Sequence, residues 1–177
     1  MITIRRVAFV RNIMVGREGL SRERLLDCFA EAGARDARSH ISTGNVTFFA
    51  DDARAVADGA EAAIARIIGR TEEVFVRDLR FLRRLHRLEP FDGLQDVHER
   101  VVSFGMRPFR ISEPLPLRTS RGDAAYFRVF GRQAFGYSRM VEGRTQSPAG
   151  LLERVAGQPI TTRSWGTIEK ILSKESG

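Results

Sequence analysis

The order of hydrophobic patterns before residue 78 constrains the fold of this chain most strongly. Two stretches repeat their apolar residues about every 3.6 positions, the period of an amphipathic helix; one follows Ser21 and the other covers 53–68. Four short apolar or alternating stretches, typical of strands, surround these helices at 4–11, 37–42, 45–50 and 73–77. The pattern predicts β-α-β-β-α-β over residues 3–77.

Signals for the starts and ends of these elements agree with that order. Ser21 and either Asp51 or Asp52 are suitable helix N-caps, and Gly69 is suited to end the second helix. The residues Thr43-Gly44-Asn45 predict a hairpin turn. Right-handed crossovers then favour a ferredoxin-like arrangement, in which an antiparallel sheet carries both helices on one face.

The second half of the chain is less regular but still mixes strands and helices. A helix capped by Asp78 is predicted to run through Leu88, and Ser147-Pro148 predicts the start of a later helix because proline suits the first turn. The remaining predicted elements are strands at 101–104, 124–131, 133–138 and 160–162 and a final helix at 165–172. Residues 78–177 are expected to form a second, smaller α/β unit, packed against 3–77 in one compact α+β domain.

Composition limits the environment and the chemistry of the chain. The hydrophobic fraction of 42% is ordinary for a globular protein, and no apolar stretch approaches the roughly 18 residues that a membrane-spanning helix needs. A cytoplasmic protein without a membrane partner is expected. Cys28 is the single cysteine and is predicted to be a buried packing residue. No Cys/His spacing indicates a metal site, and no cofactor is expected.

The charge balance favours acidic partners. The net charge is +7, and 27 of the 29 basic residues are arginine. Such an excess attracts polyanions over long distances. On the helix after Asp78, four arginines share one face opposite leucines: Arg80, Arg83, Arg84 and Arg87. This stripe can follow a phosphate backbone, although such a stripe is more often simply a solvated helix face.

Two loops in the first half are candidate anion sites. The first, Arg11–Arg17, leaves a strand toward a helix, a junction where backbone N–H groups and an arginine can surround an anion, although the spacing of a P-loop is absent. The second is the turn Ser42–Asn45. An ordinary basic loop and a structural turn are the alternatives. The side chains expected to contact a ligand are Arg11, Asn12, Thr43 and Asn45.

A third candidate lies where the final helix begins. The segment Thr161–Lys170 gathers hydroxyls, an arginine and the only tryptophan of the chain. The N–H groups and positive dipole at a helix start suit a phosphate or carboxylate. Arg163 could make paired hydrogen bonds to it, and Trp165 could stack on a ring. An N-cap beside a core tryptophan is the alternative. The expected ligand contacts here are Thr162, Arg163, Trp165, Thr167 and Lys170.

Three segments carry a recognisable series of motifs. Val10–Arg17 reads Val-Arg-Asn-Ile-Met-Val-Gly-Arg, Ser42–Phe48 reads Ser-Thr-Gly-Asn-Val-Thr-Phe, and Thr161–Lys170 contains Thr-Thr-Arg, Trp, Thr and Lys. In this order they resemble the motifs of a bacterial family, domain of unknown function 1697. The corresponding family motifs are Leu-Arg-Gly-Ile-Asn-Val-Gly-Gly, then Gln-Ser-Gly-Asn before an apolar strand, and finally Thr-Thr-Arg-Asn-Trp-Asn-Thr followed by a lysine. A further family pattern, Gly-Arg-Ser-Lys, corresponds to Gly143–Gln146 and adds Arg144 to the expected ligand contacts. The resemblance implies an α+β fold with ferredoxin-like subdomains, and no activity.

The chain departs from the family pattern at several polar positions. Met14 stands where the family has a loop asparagine, Arg17 where it has a glycine, and Ser42-Thr43 where it has Gln-Ser. Ser164 and Gly166 replace two further asparagines. These changes remove side-chain amides, so a site shared by the family would be altered here.

The leading functional hypothesis is a protein that binds an anionic, phosphate-bearing ligand, either a nucleotide or a nucleic acid. Its pocket would be a basic recess in which Arg11, Asn45 and Arg163 meet beside Trp165. One alternative is a small enzyme acting on a phosphorylated or acyl substrate, with Lys170 or an acid as the proton-transfer group. Another is a module that docks a protein through an edge strand or the arginine helix. The sequence predicts no specific reaction, ligand or oligomeric state.

Overall fold

A computed structural model describes residues 4–176. Within that range the chain forms two antiparallel sheets and five helices, so the predicted α+β class is confirmed. The chain divides into two compact units, the first ending at Leu85 and the second beginning at His86. No helix within residues 4–176 is long and apolar enough to cross a lipid bilayer.

The first unit follows the predicted order of elements. They are β1 (Arg5–Val10), α1 (Arg22–Glu31), β2 (Arg35–His40), β3 (Asn45–Phe49), α2 (Ala53–Ile68), β4 (Val74–Asp78) and α3 (Leu79–Arg87), which continues into the second unit. The sheet order is β2-β3-β1-β4, with antiparallel neighbours throughout. Each β-α-β unit is therefore split by one inserted strand. Asp78, expected to cap a helix, is the last residue of β4.

The predicted helix signals are confirmed in the first unit. The Ser21 hydroxyl accepts a hydrogen bond from Arg24 N at 3.2 Å, and Asp52 Oδ1 accepts from Arg54 N at 2.9 Å. Gly69 ends α2 with a left-handed φ of 77°. The helices pack on one face of the sheet, where Cys28 is buried as predicted. Other members of this core include Ala8, Val10, Phe29, Val46, Phe48, Ala60 and Ile64.

The second unit contains a five-stranded sheet and two helices. Its elements are β5 (Glu99–Gly105), β6 (Leu117–Arg118), β7 (Ala124–Phe130), β8 (Gln133–Ser138), α4 (Ala149–Ala156), β9 (Ile160–Ser164) and α5 (Trp165–Lys174). The strand order is β6-β7-β8-β5-β9. β7 and β8, which correspond to the predicted strands 124–131 and 133–138, form an antiparallel hairpin around Gly131-Arg132. The two-residue strand β6 was not predicted, because it is too short to show an alternating pattern.

The sheet of the second unit buries both of its faces. One face carries a core cluster that includes Tyr126, Ala134, Leu152 and Ile160. Side chains alternate along a strand, so Phe135 lies on the opposite face, where it contacts other aromatic rings. The Tyr126 hydroxyl lies 2.5 Å from Ser103 Oγ, and burial raises the pKa of Tyr126 to about 12. This hydroxyl is therefore protonated at neutral pH, and it forms a hydrogen bond inside the second unit.

Candidate functional site

The structure brings together two of the predicted segments, the loop after β1 and the turn between β2 and β3. Val15 N in the loop donates to Ser42 O in the turn at 2.7 Å. Gly44 packs so closely on Ile13 that a Cβ at residue 44 would lie 2.6 Å from Ile13 Cγ1. The two motifs form one loop junction in the first unit.

Arg11 and Asn12 are held by two acidic residues directly before β4, Glu72 and Glu73. Arg11 Nη1 lies 3.4 Å from Glu73 Oε2, and Asn12 Nδ2 donates to Glu72 Oε2 at 3.1 Å. Arg70 Nε donates to the other Glu72 oxygen at 2.8 Å, and Arg70 Nη2 donates to Asn12 O at 3.0 Å. These bonds fasten the loop to the sheet, and the two carboxylates offset the positive charge of the loop.

Asn45 fastens the turn from inside. Its side chain is fully buried, and Nδ2 donates to His40 O at 2.9 Å and to Thr43 Oγ1 at 3.0 Å. Both amide hydrogens therefore have partners within the turn. This geometry corresponds to the structural alternative weighed for the turn.

Arg163 lies inside the second unit. Only 8% of it is exposed, and Nη1 donates to Thr161 Oγ1 at 2.8 Å and to Thr162 O at 2.9 Å. Burial lowers the pKa of Arg163 to about 10, so it remains a cation at neutral pH. The Thr162 hydroxyl lies 2.7 Å from Ser103 Oγ, in the same interior network as Tyr126.

The start of α5 is closed by its own cap. Ser164 Oγ accepts a hydrogen bond from Thr167 N at 3.2 Å and lies 2.9 Å from Thr167 Oγ1. Trp165 is 8% exposed, whereas Lys170 and Arg144 are exposed. The sequence predicted that Arg11, Asn45 and Arg163 meet in one basic recess beside Trp165. That meeting stays a prediction.

The arginine stripe of α3 has the predicted amphipathic form. Its inner face is apolar and buried, formed by Leu79, Leu82 and Leu85. On the outer face Arg83 is half-buried, and the exposed arginines are Arg80, Arg84 and Arg87.

A second basic region lies at one end of the sheet in the second unit, where β5 finishes and β7 turns into β8. Gly105 N donates to Arg132 O at 2.9 Å, and Phe109 N donates to Gly131 O at 2.8 Å. Two backbone hydrogen bonds thus join the loop after β5 to the β7–β8 turn.

Gln158 fixes the same loop from the other side. Its Oε1 accepts from Arg107 N at 3.0 Å, and its Nε2 donates to Arg107 O at 3.1 Å. Gln158 is buried, so this amide makes a paired contact shielded from water. The loop therefore holds the backbone of Arg107 in one position while its side chain is exposed.

Four arginines and one phenylalanine are exposed around this junction, and we call them the basic end: Arg107, Arg110, Arg128, Phe130 and Arg132. Phe130 is 55% exposed, which is unusual for a large apolar ring. Within residues 4–176, Arg107, Arg110 and Arg128 have no carboxylate within 4 Å. Residues 100–139 contain eight basic and only two acidic residues, so this surplus of charge was the available sequence signal for a region that the motifs did not indicate.

Comparison with models of protein families gives a match over most of the chain. The model described as protein of unknown function (DUF1697) matches residues 4–135. This chain belongs to the DUF1697 family. The match reaches from near the start of β1 into β8, so it includes all five residues of the basic end. The motif at Thr161–Lys170 lies beyond it.

A solved structure shows the same fold as this DUF1697 member. Conserved bacterial protein SP0830 from Streptococcus pneumoniae aligns with a TM-score of 0.64 at 18% sequence identity, covering 99% of each chain. At that identity the likeness concerns the fold alone. No curated protein matches the chain.

Proposed function

We propose that this DUF1697 member binds a phosphate-bearing polyanion, single-stranded nucleic acid, on the basic end of its second unit. The observation that carries the proposal is the loop after β5, fixed by the β7–β8 turn and by Gln158, with exposed arginines on both partners. A surface fixed before binding loses less conformational entropy when a ligand arrives.

The charge of the basic end supports a phosphate ligand. Guanidinium groups bind phosphate oxygens through paired hydrogen bonds, and each one that neutralises a phosphate releases a counterion. Arg107, Arg110 and Arg128 can do so without first breaking an ion pair, since no carboxylate within residues 4–176 lies within 4 Å of them. The overall charge of +7 adds long-range attraction.

Phe130 supports a single strand in preference to a duplex. Its exposed ring can stack on an unpaired base, whereas the bases of a duplex are already stacked on one another. Arg128 and Phe130 are two residues apart on β7, so they project from the same side of the strand. A phosphate contact and a stacking contact therefore lie next to each other.

Fluorescence anisotropy with a labelled single-stranded oligonucleotide tests this proposal. We expect the triple variant Arg107→Ala/Arg110→Ala/Arg128→Ala to bind about 10- to 100-fold more weakly at low salt. The matched control is Arg35→Ala/Arg54→Ala/Arg66→Ala, which removes three charges from arginines that are paired with carboxylates. We expect the control to lose little affinity.

Two results would reject this location. Equal losses in both triple variants would mean that only the net charge attracts the oligonucleotide. A selective loss in Arg80→Ala/Arg84→Ala/Arg87→Ala would place the contact on α3 instead. We expect Phe130→Ala to weaken single-strand binding about 5- to 100-fold and to leave weak duplex binding unchanged.

A further inference from the structure

A cavity of about 370 Å³ opens beside Trp165, and all of its lining residues belong to the second unit. Its size falls at the small end of the range for small-molecule sites, which begins near about 300 Å³. None of the five residues of the basic end lines this cavity. The cavity is therefore a candidate ligand site separate from the basic end.

Aromatic rings form one side of this cavity. The centroids of Trp165 and Phe91 lie 5.2 Å apart, and Phe135 contacts both rings, at 6.1 and 5.8 Å. His86 stacks nearly parallel to Trp165, with 5.9 Å between centroids and an interplanar angle of 13°. The four rings therefore pack against one another along this wall.

Acidic side chains dominate the remaining wall. The lining contains three carboxylates, from Glu89, Asp92 and Glu169, one guanidinium, from Arg100, and the His86 ring, whose Nε2 lies 3.7 Å from Glu169 Oε1. Arg100 Nη2 donates to Leu94 O at 3.1 Å, so part of its hydrogen-bonding capacity is used by the backbone. The cavity is thus acidic in a basic protein, and it favours a cation over the anionic ligand that the sequence predicted next to Trp165.

The spacing of the acids selects the kind of cation. Across residues 4–176, no three His, Cys, Asp or Glu side chains are grouped closely enough to hold a metal ion. The lining carboxylates therefore do not form a metal-ion cluster, and their charge favours an organic cation instead. The small exposed parts of Trp165 and Phe91, 8% and 7% of each residue, add apolar contact beside these carboxylates. We infer that the Trp165 cavity binds a small organic ammonium ion, such as a primary diamine or a quaternary amine.

Titration of the intrinsic fluorescence tests this inference, since Trp165 is the only tryptophan in the chain. The probes are 1,4-diaminobutane and choline, with 1,4-butanediol and succinate as neutral and anionic counterparts of the diamine. We expect at least one ammonium compound to change the emission saturably, with a Kd below about 1 mM, and neither counterpart to do so. Isothermal titration calorimetry gives the same affinity without relying on emission.

Variants link the binding to the cavity. We expect Glu89→Gln/Asp92→Asn/Glu169→Gln to bind the ammonium compound about tenfold or more weakly. The charge-matched control, Asp96→Asn/Glu113→Gln/Glu142→Gln, changes exposed acids outside the cavity and should bind like the parent. Saturation by no ammonium compound up to about 10 mM, tighter binding of succinate, or equal losses in both variants would overturn the inference.

Discussion

The two units carry similar numbers of arginines, 15 in the first and 12 in the second. They differ in how many of these arginines lie near a carboxylate. Within the described residues, carboxylates lie within 4 Å of at least eight arginines of the first unit. They are Arg5, Arg6, Arg11, Arg35, Arg38, Arg54, Arg66 and Arg70. In the basic end of the second unit, by contrast, Arg107, Arg110 and Arg128 have no carboxylate at that distance within residues 4–176.

The difference shows that arginine content alone does not mark a binding surface. In the first unit, arginines join loops to strands; the Arg70 hydrogen bond, for example, lowers the pKa of Glu18 across 52 positions of the chain. In the second unit, backbone hydrogen bonds and Gln158 fix the loop instead. Arg107, Arg110 and Arg128 are left exposed to solvent, as the proposed phosphate contact needs.

The largest expected effect concerns the loop junction of the first unit. Gly44 has a φ of +71°, and an added Cβ would lie 2.6 Å from Ile13 Cγ1 and 3.2 Å from Val10 Cβ. We expect Gly44→Ala to lower the free energy of unfolding by about 2–4 kcal/mol. Gly16→Ala is the control, because Gly16 also has a positive φ but nothing lies within 4 Å of the added Cβ. A loss of only about 1 kcal/mol is expected there. Equal losses in urea unfolding would show that packing does not secure the junction.

The next effect concerns Glu72, which accepts hydrogen bonds from Arg70 and Asn12. Its removal breaks both of these hydrogen bonds, although Arg70 keeps its bonds to Glu18 and to Asn12 O. We expect Glu72→Ala to cost about 2 kcal/mol of unfolding free energy. Glu23→Ala, an exposed acid in the first turn of α1, should cost much less. A negligible loss at Glu72 would contradict a structural role for this network.

A smaller effect is expected in the interior of the second unit. Tyr126→Phe removes the hydroxyl that bonds Ser103, while Ser103 keeps its bond to Thr162. Because one partner remains, we expect a loss of about 1 kcal/mol in chemical unfolding. A loss above about 3 kcal/mol would mean that the chain of hydroxyls acts as one cooperative network.

The smallest effect on stability is expected for the basic end itself. We expect Arg107→Ala/Arg110→Ala/Arg128→Ala to change the unfolding free energy by less than about 0.5 kcal/mol per site, because no carboxylate partner is lost. The same variant should still lose oligonucleotide affinity. A clear fall in thermal stability would give these arginines a structural role and remove the contrast between the units.

Local signals in the sequence predict much of the fold and little of the basic end. Ser21, Asp52 and Gly69 act within one turn of the helices that they cap or end, so their roles can be read from neighbouring residues. Arg11 meets Glu72 and Glu73 only after the sheet forms, and the sequence gives no sign of that pairing.

The basic end was missed for the same physical reason. Its arginines come from a loop, a strand and a turn, and they become neighbours through the Gly105–Arg132 hydrogen bond. Arg163, a motif arginine, is 8% exposed and donates to its own strand, and its predicted ligand contact stays a prediction. A candidate ligand-contacting arginine therefore has to be judged by its burial as well as by its motif and charge.

The salt dependence of oligonucleotide binding tests the central claim most directly. Each phosphate contact on a single strand contributes about −0.7 to the slope of log K against log salt concentration. We therefore predict that removing Arg107, Arg110 and Arg128 together makes the slope shallower by about 2. The Arg35/Arg54/Arg66 variant should keep the slope of the parent. An unchanged slope in the first variant would mean that those arginines touch no phosphate, and it would contradict the account.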